Sequence, residues 1–308
     1  MSVLNFISKF IALKQLTLCM RYLSMLFFVI LLTIASCSKT EDITIKDNVP
    51  PPDSTIDSTT IDIYINKCYI NILGREPVGN EKTTAKAILN QHNFSVADRQ
   101  QFLQTFYSTT EYKRNQYNVT RNDYLRNVDS VEIYYQKFIF ENLITQPQYA
   151  PFYDLLSGEI ARLELLLSIN NDMAAGTLDY KGMLKRCTFN YFYDQINMGT
   201  ENFVVSTYQN FLFRYPSDAE LAAGKTMVDG NTAVVFLELG QTKTDYINIF
   251  FDSNDFYEGQ VRLMFNRFLF REPSSAETAF YADIYKTTGN YNDLQSAVFS
   301  MDEYAGIQ

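Results

Sequence analysis

The chain has 308 residues, 46% of them hydrophobic, and its aromatic load is 22 Tyr and 24 Phe with no Trp. That apolar content can bury one or two sizeable cores, which excludes a largely disordered protein. One His, four Cys and a formal charge of −9 leave little material for metal or redox chemistry and argue against nucleic acid or anionic lipid as a partner.

Residues 1–36 read as a leader. Met20 and Arg21, followed by the apolar run from Tyr22 to Ile34, have the layout of a signal peptide and are too short for a membrane-spanning helix. Met20 is the expected start, which makes residues 1–19 an over-extended gene start, with a real cytoplasmic extension as the competing reading. The run ends Ile34-Ala35-Ser36-Cys37, and small residues directly before a cysteine resemble a lipobox, which implies a diacylglycerol on Cys37. Ordinary secretory cleavage near Ala35 is the competing reading. Removing residues 1–36 takes away Lys9, Lys14 and Arg21 and no acid, leaving 23 bases against 35 acids, a net charge of −12.

Residues 37–60 read as a disordered tether rich in Pro, Ser and Thr. Ser38-Lys39-Thr40-Glu41-Asp42, directly behind Cys37, resembles the surface-export signal of Bacteroidetes lipoproteins, which implies an outer-membrane protein anchored by its lipid and facing outward; an anchor facing the periplasm is the alternative. Asp53-Ser54-Thr55 and Asp57-Ser58-Thr59 resemble the short O-glycosylation acceptor of the same phylum, so Ser54 and Ser58 are candidate acceptors.

The remainder reads as all-α and is organised by an internal repeat: residues 61–117 carry the first unit, 118–199 a bridging region, and 200–308 the second and third units. The phrase from Tyr208 to Glu220 (YQNFLFRYPSDAE) recurs without a gap from Phe265 to Glu277 (FNRFLFREPSSAE) and more loosely from Tyr69 to Glu81 (YINILGREPVGNE). Arginine, proline and glutamate keep their places: Arg75/Pro77/Glu81, Arg214/Pro216/Glu220 and Arg271/Pro273/Glu277. A helix with an aromatic and leucine face ends on the arginine, whose charge suits a helix C-terminus, and the proline forbids continuation. Ser217 and Ser274 stand three residues before Glu220 and Glu277, the capping-box spacing, whereas the first unit has Val78 there and lacks the box. A second phrase closes each unit: Phe106 to Tyr112, Phe250 to Phe256 and Val298 to Tyr304, each with an acid before its last aromatic residue. The three arginines are expected either to reach these acids and tie the unit shut or to stand solvated at helix ends.

These two phrases together resemble the helical repeat domain of unknown function found in many secreted bacterial proteins, itself similar to phycobilisome linker domains. The resemblance implies a scaffolding or interaction role and brings no catalytic residues.

Expected helices fall near 60–73, 81–91, 96–117, 129–144, 150–169, 179–196, 201–213, 217–229, 241–252, 256–270, 274–287 and 291–303. The clearest stripe is Phe152, Leu155, Leu156, Ile160, Leu163, Leu166 and Leu167. Residues 232–237 (TAVVFL) read as helix or strand. The segment Phe189 to Phe203, dense in Asn and aromatics, reads either as a binding rim or as a helix ending at Gly199 before a Thr200 cap, with its rings in the core.

No catalytic, cofactor or metal site is expected. His92, in the polar stretch Asn90-Gln91-His92-Asn93, reads as a solvated loop residue, and no H-x-x-x-H, C-x-x-C or G-x-G-x-x-G occurs. Gly224-Lys225-Thr226 is no P-loop, because Ala219 stands where the first glycine is needed. Cys68 and Cys187 form a disulfide or stay as buried thiols. The sequence thus points to a non-enzymatic surface protein that binds a protein partner. A glycan-binding lipoprotein is the alternative and predicts an exposed row of Tyr and Phe, where the scaffold reading predicts buried rings. A hydrolase using a carboxylate pair is the second alternative.

Overall fold

Asp57 accepts the amide hydrogen of Thr59 and opens α1 (Ser58–Leu73), so the expected tether gives way to helix two residues before its end. The computed structural model describes residues 56–307, and Cys37 and Ser54 lie outside them. Ser58 is exposed in the first turn of α1. After α1 come α2 (Glu81–Leu89) and α3 (Val96–Tyr107), which complete the first unit, then α4 (Thr110–Leu125). The single helix expected over 96–117 is therefore two. Thr109 breaks it, its hydroxyl accepting the Tyr112 amide as an N-cap, and the boundary drawn at residue 117 falls inside α4.

The bridging region continues with α5 (Ser130–Leu143), a 3-10 turn (Pro147–Phe152), α6 (Tyr153–Leu167), α7 (Ile169–Ala175), α8 (Tyr180–Thr188) and α9 (Tyr191–Ile196). The expected helix over 150–169 starts late because Pro151 lies in the 3-10 turn. The one over 179–196 splits at Asn190, whose side chain accepts from the amides of Phe192 and Tyr193.

The second unit is α10 (Thr200–Leu212), α11 (Asp218–Val228) and α12 (Lys243–Asp252), with a hairpin of β1 (Ala233–Val235) and β2 (Glu238–Gly240) between the last two. Ala233 pairs with Gly240 and Val235 with Glu238, so residues 232–237 resolve as strand and turn, with Phe236 and Leu237 both at positive φ. The third unit is α13 (Asn254–Phe268), α14 (Ser275–Thr288) and α15 (Tyr291–Phe299), and α16 (Asp302–Ala305) follows. The described residues are all-α apart from that hairpin.

The units do not run on as an open stack. α15 packs on α3 and α16 on α1, so the third unit returns to the first. Arg99, buried on α3, reaches Asp302 of α16 at 2.5 Å, the Tyr64 hydroxyl donates to the Phe299 carbonyl at 3.1 Å, and Lys67 donates to the Tyr304 carbonyl. The second and third units meet where α13 crosses α10 at Gly259, and a side chain there would strike the Phe211 carbonyl and the Leu212 backbone. Gly224 serves the same purpose inside the second unit: it lies in α11 against Val204 and Tyr246, a packing position. One contiguous core results, with Tyr64, Tyr208, Phe211, Phe250, Phe256 and Tyr304 fully enclosed.

Candidate functional site

Each repeat arginine holds two acids. Arg75 donates from Nη1 and Nη2 to the two carboxylate oxygens of Glu81, both at 2.8 Å, and from Nε to Glu111 Oε1 at 2.5 Å. Arg214 grips Glu220 in the same way at 2.8 and 2.7 Å and reaches Asp255 at 2.6 Å. Arg271 grips Glu277 at 3.0 and 2.6 Å and Glu303 with two bonds of 2.7 Å. Glu111, Asp255 and Glu303 are the acids of the second phrase, so the guanidinium clamps the helix after the turn and the junction that closes the unit. Its face lies over Tyr69, Tyr208 or Phe265, one repeat position filled by an aromatic ring three times.

The glutamate does more than pair. Glu81, Glu220 and Glu277 also accept the backbone amide hydrogens of Val78, Ser217 and Ser274, at 2.7, 2.8 and 2.8 Å. Ser217 and Ser274 return the bond and complete capping boxes, whereas Val78 has no hydroxyl and α2 starts without a side-chain cap. Bonding to Arg214 and to Arg271 holds the carboxyls of Glu220 and Glu277 down at about 2, against an ordinary value of 4.5. Pro77, Pro216 and Pro273 lie half-buried in the turns. Gly74, Phe213 and Phe270, each directly before its arginine, all adopt the left-handed conformation, φ 75°, 57° and 56°. The repeat thus needs glycine geometry at a position where two units carry phenylalanine.

These groups make a structural clasp. Among the described residues no cluster of three or more His, Cys, Asp or Glu is placed to hold a metal ion, and no helix is long and apolar enough to cross a membrane. His92 is exposed, yet its Nδ1 pairs with Asp98 Oδ1 at 2.8 Å. Burial of Asp98 works to raise its carboxyl, but bonds from His92 and Ser95 outweigh that and leave it below the usual range. Cys68 and Cys187 are both free and buried, and burial pushes the Cys68 thiol up to about 12. Asp194, held up by burial, pairs with Lys243 at 2.5 Å as Glu159 pairs with Arg162 at 2.5 Å, so the two acids are neutralised in place.

The segment from Phe189 to Phe203 packs inward: Tyr193 and Phe203 are buried, and Phe189, Tyr191 and Phe192 pack against the core. Thr200 is the first residue of α10, not its cap, and its hydroxyl donates to Asp229.

The exposed rings lie elsewhere, on α5. Val131, Tyr134, Tyr135 and Phe138 are 71%, 61%, 66% and 61% exposed, and their i, i+3, i+4, i+7 spacing puts them on one side of the helix. The opposite side carries Ile133 and Phe140, both buried. Phe152, Tyr153 and Leu155, leading into α6, are exposed as well, which leaves two members of the sequence's clearest core stripe outside the core. α5 has one substantial packing partner, α6, whereas α2 and α11 pack on the helices before and after them. Apolar residues all round the helix were the legible signal, and the bridging region's lack of the arginine-proline phrase hid it.

No protein-family model, curated protein or solved structure matches this chain.

Proposed function

We propose that this protein is a non-enzymatic, lipid-anchored interaction or scaffolding module, exposed on the bacterial outer membrane, that engages a protein partner through the outer face of α5. The observation that carries the reading is the row Val131, Tyr134, Tyr135, Phe138 on a helix with no packing partner on that side. Three rings, each with about 150–250 Å² of surface and mostly uncovered, give with Val131 a patch of roughly 400 Å², within the about 300–600 Å² of the largest apolar patch on an ordinary monomer, which is often functional. The spacing is that of a helix laid into a partner's apolar groove. The anchor at Cys37 and the resemblance of the repeats to the helical domain of secreted bacterial proteins support the location and the role.

A glycan-binding role is the second reading, and the same exposed rings favour it, because sugars stack on Tyr and Phe. Polar groups of α5 near the row are already engaged with α5 itself and with α6: Lys137 pairs with Glu141 and Glu164, and the Asn142 amide donates to the Phe138 carbonyl. Sugar recognition needs such groups free, so a protein partner fits better.

The test is affinity capture of the tagged protein from its own cells after mild crosslinking, with Cys37→Ala and the triple variant Tyr134→Ser/Tyr135→Ser/Phe138→Ser as controls. A specific surface protein recovered with the parent and lost with both variants supports the reading. Recovery of polysaccharide alone favours the glycan role, and a partner retained by the triple variant removes α5 from it.

A further inference from the structure

The clasp of each unit roofs a space between its second and third helices, and the three units fill that space differently. In the third unit Tyr281, on α14, places its ring 5.4 Å from that of Phe265. The second unit has Gly224 at the matching position, and there the hairpin supplies the ring: Phe236 lies 5.8 Å from Tyr208 and 5.8 Å from Phe250. The first unit has Ala85 at this position, and its connector between α2 and α3 is only residues 90–95. Phe94, the connector's one aromatic residue, packs on Tyr64 at 5.1 Å instead. The result is an open groove of about 400 Å³, floored by Tyr69, Leu73, Ala85, Ile88 and Phe106. Tyr69 and Phe106 are the counterparts of the two rings that Phe236 covers in the second unit.

We infer that this groove is a docking pocket for a Phe or Tyr side chain presented on an extended or hairpin segment of another protein, completing the first unit as Phe236 completes the second. Arg75 pairs with both Glu81 and Glu111, and the charge of Arg114 also acts on Glu111, so the rim charges balance and the ring itself carries the recognition. Exposed Asn80, Thr84 and Thr105 at the edge supply hydrogen-bonding groups for the segment's backbone. This site is separate from α5 and does not depend on the role proposed for that face.

The test uses the full folded chain, methyl-labelled at Ala85, Leu73 and Ile88, and synthetic peptides spanning residues 231–241 of its own hairpin. The probes are the native peptide and its Phe236→Ser form. The expected result is a saturable shift of the Ala85 and Ile88 signals with the native peptide and none with Phe236→Ser. Ala85→Tyr, which copies the third unit, abolishes the shift. Thr84→Phe, at the exposed edge where the third unit has Phe280, serves the same purpose should Ala85→Tyr not fold. No shift with the native peptide, an equal shift with Phe236→Ser or with octanoate, or binding that survives Thr84→Phe overturns the assignment.

Discussion

Arg271 and Glu303 are joined by two parallel hydrogen bonds of 2.7 Å, Nε to Oε1 and Nη2 to Oε2, across a sequence separation of 32 residues. The same guanidinium holds Glu277, so one side chain fixes the turn, the start of α14 and the junction after α15. Planar fork geometry makes arginine the residue for this task, and lysine a poor substitute. Arg214→Ala and Arg271→Ala are each expected to lower stability by about 1–2 kcal/mol, a figure kept small because the pairs are partly exposed. At roughly 2–4 °C per kcal/mol for a domain of this size, both variants show a reduced melting temperature, and the corresponding lysine variants recover little of it. Unchanged melting in both alanine variants removes the structural role.

Acid titration tests the same clasp from the carboxylate side. Glu220 and Glu277 have folded values depressed to about 2 from 4.5, chiefly through Arg214 and Arg271. A depressed carboxylate stabilises the fold fully above its unfolded value and loses that contribution as pH falls through the folded one. Stability from these two groups is therefore expected to be flat above about pH 5 and to decline between 4.5 and 2. Denaturant melts across that range give a steeper decline for the parent than for Glu220→Gln/Glu277→Gln, which starts lower and varies less.

Much of this clasp was legible in the sequence, because Arg, Pro and Glu recur at fixed spacing and helix termini have local chemical rules. The acids at Glu111, Asp255 and Glu303 were legible too, as the only charged residue shared by the second phrases. What the repeat could not disclose is closure. Arg99 meeting Asp302, 203 residues apart, depends on how the third unit returns to the first, which no local pattern encodes. Nor could periodicity say which of the two apolar sides of α5 would be covered, since burial there is decided by α6 and by Tyr191 of α9, whose ring meets Phe140.

Phe270 sits at φ 56° with 84% of its surface exposed, while the first unit has Gly74 at the same place. A left-handed conformation disfavours a residue with a Cβ by about 1–2 kcal/mol, part of which glycine gives back through its greater freedom when unfolded. Phe270→Gly is therefore expected to stabilise the protein by about 0.5–1 kcal/mol, since little packing is lost with an exposed ring. Thermal melting checks it, and a destabilised variant would show that the Phe270 ring has a contact worth more than the strain.

Two helical glycines should respond to alanine in opposite directions. Gly158, on α6, faces only the Arg162 guanidinium, with Nη1 3.4 Å from where a Cβ would stand, an ordinary contact distance that a methyl group tolerates. Alanine there gains helix propensity, and Gly158→Ala is expected to stabilise by about 0.5–1 kcal/mol. Gly259 is different, because its missing Cβ is what lets α13 lie on the Phe211 carbonyl and the Leu212 backbone of α10. Backbone cannot swing aside as a side chain does, so Gly259→Ala forces the second and third units apart and is expected to cost about 3 kcal/mol or more. Equilibrium unfolding of the two variants measures both signs at once. A neutral Gly259→Ala would mean that the α10–α13 crossing is loose enough to admit a methyl group, and that the missing Cβ is not what sets the approach of those two helices.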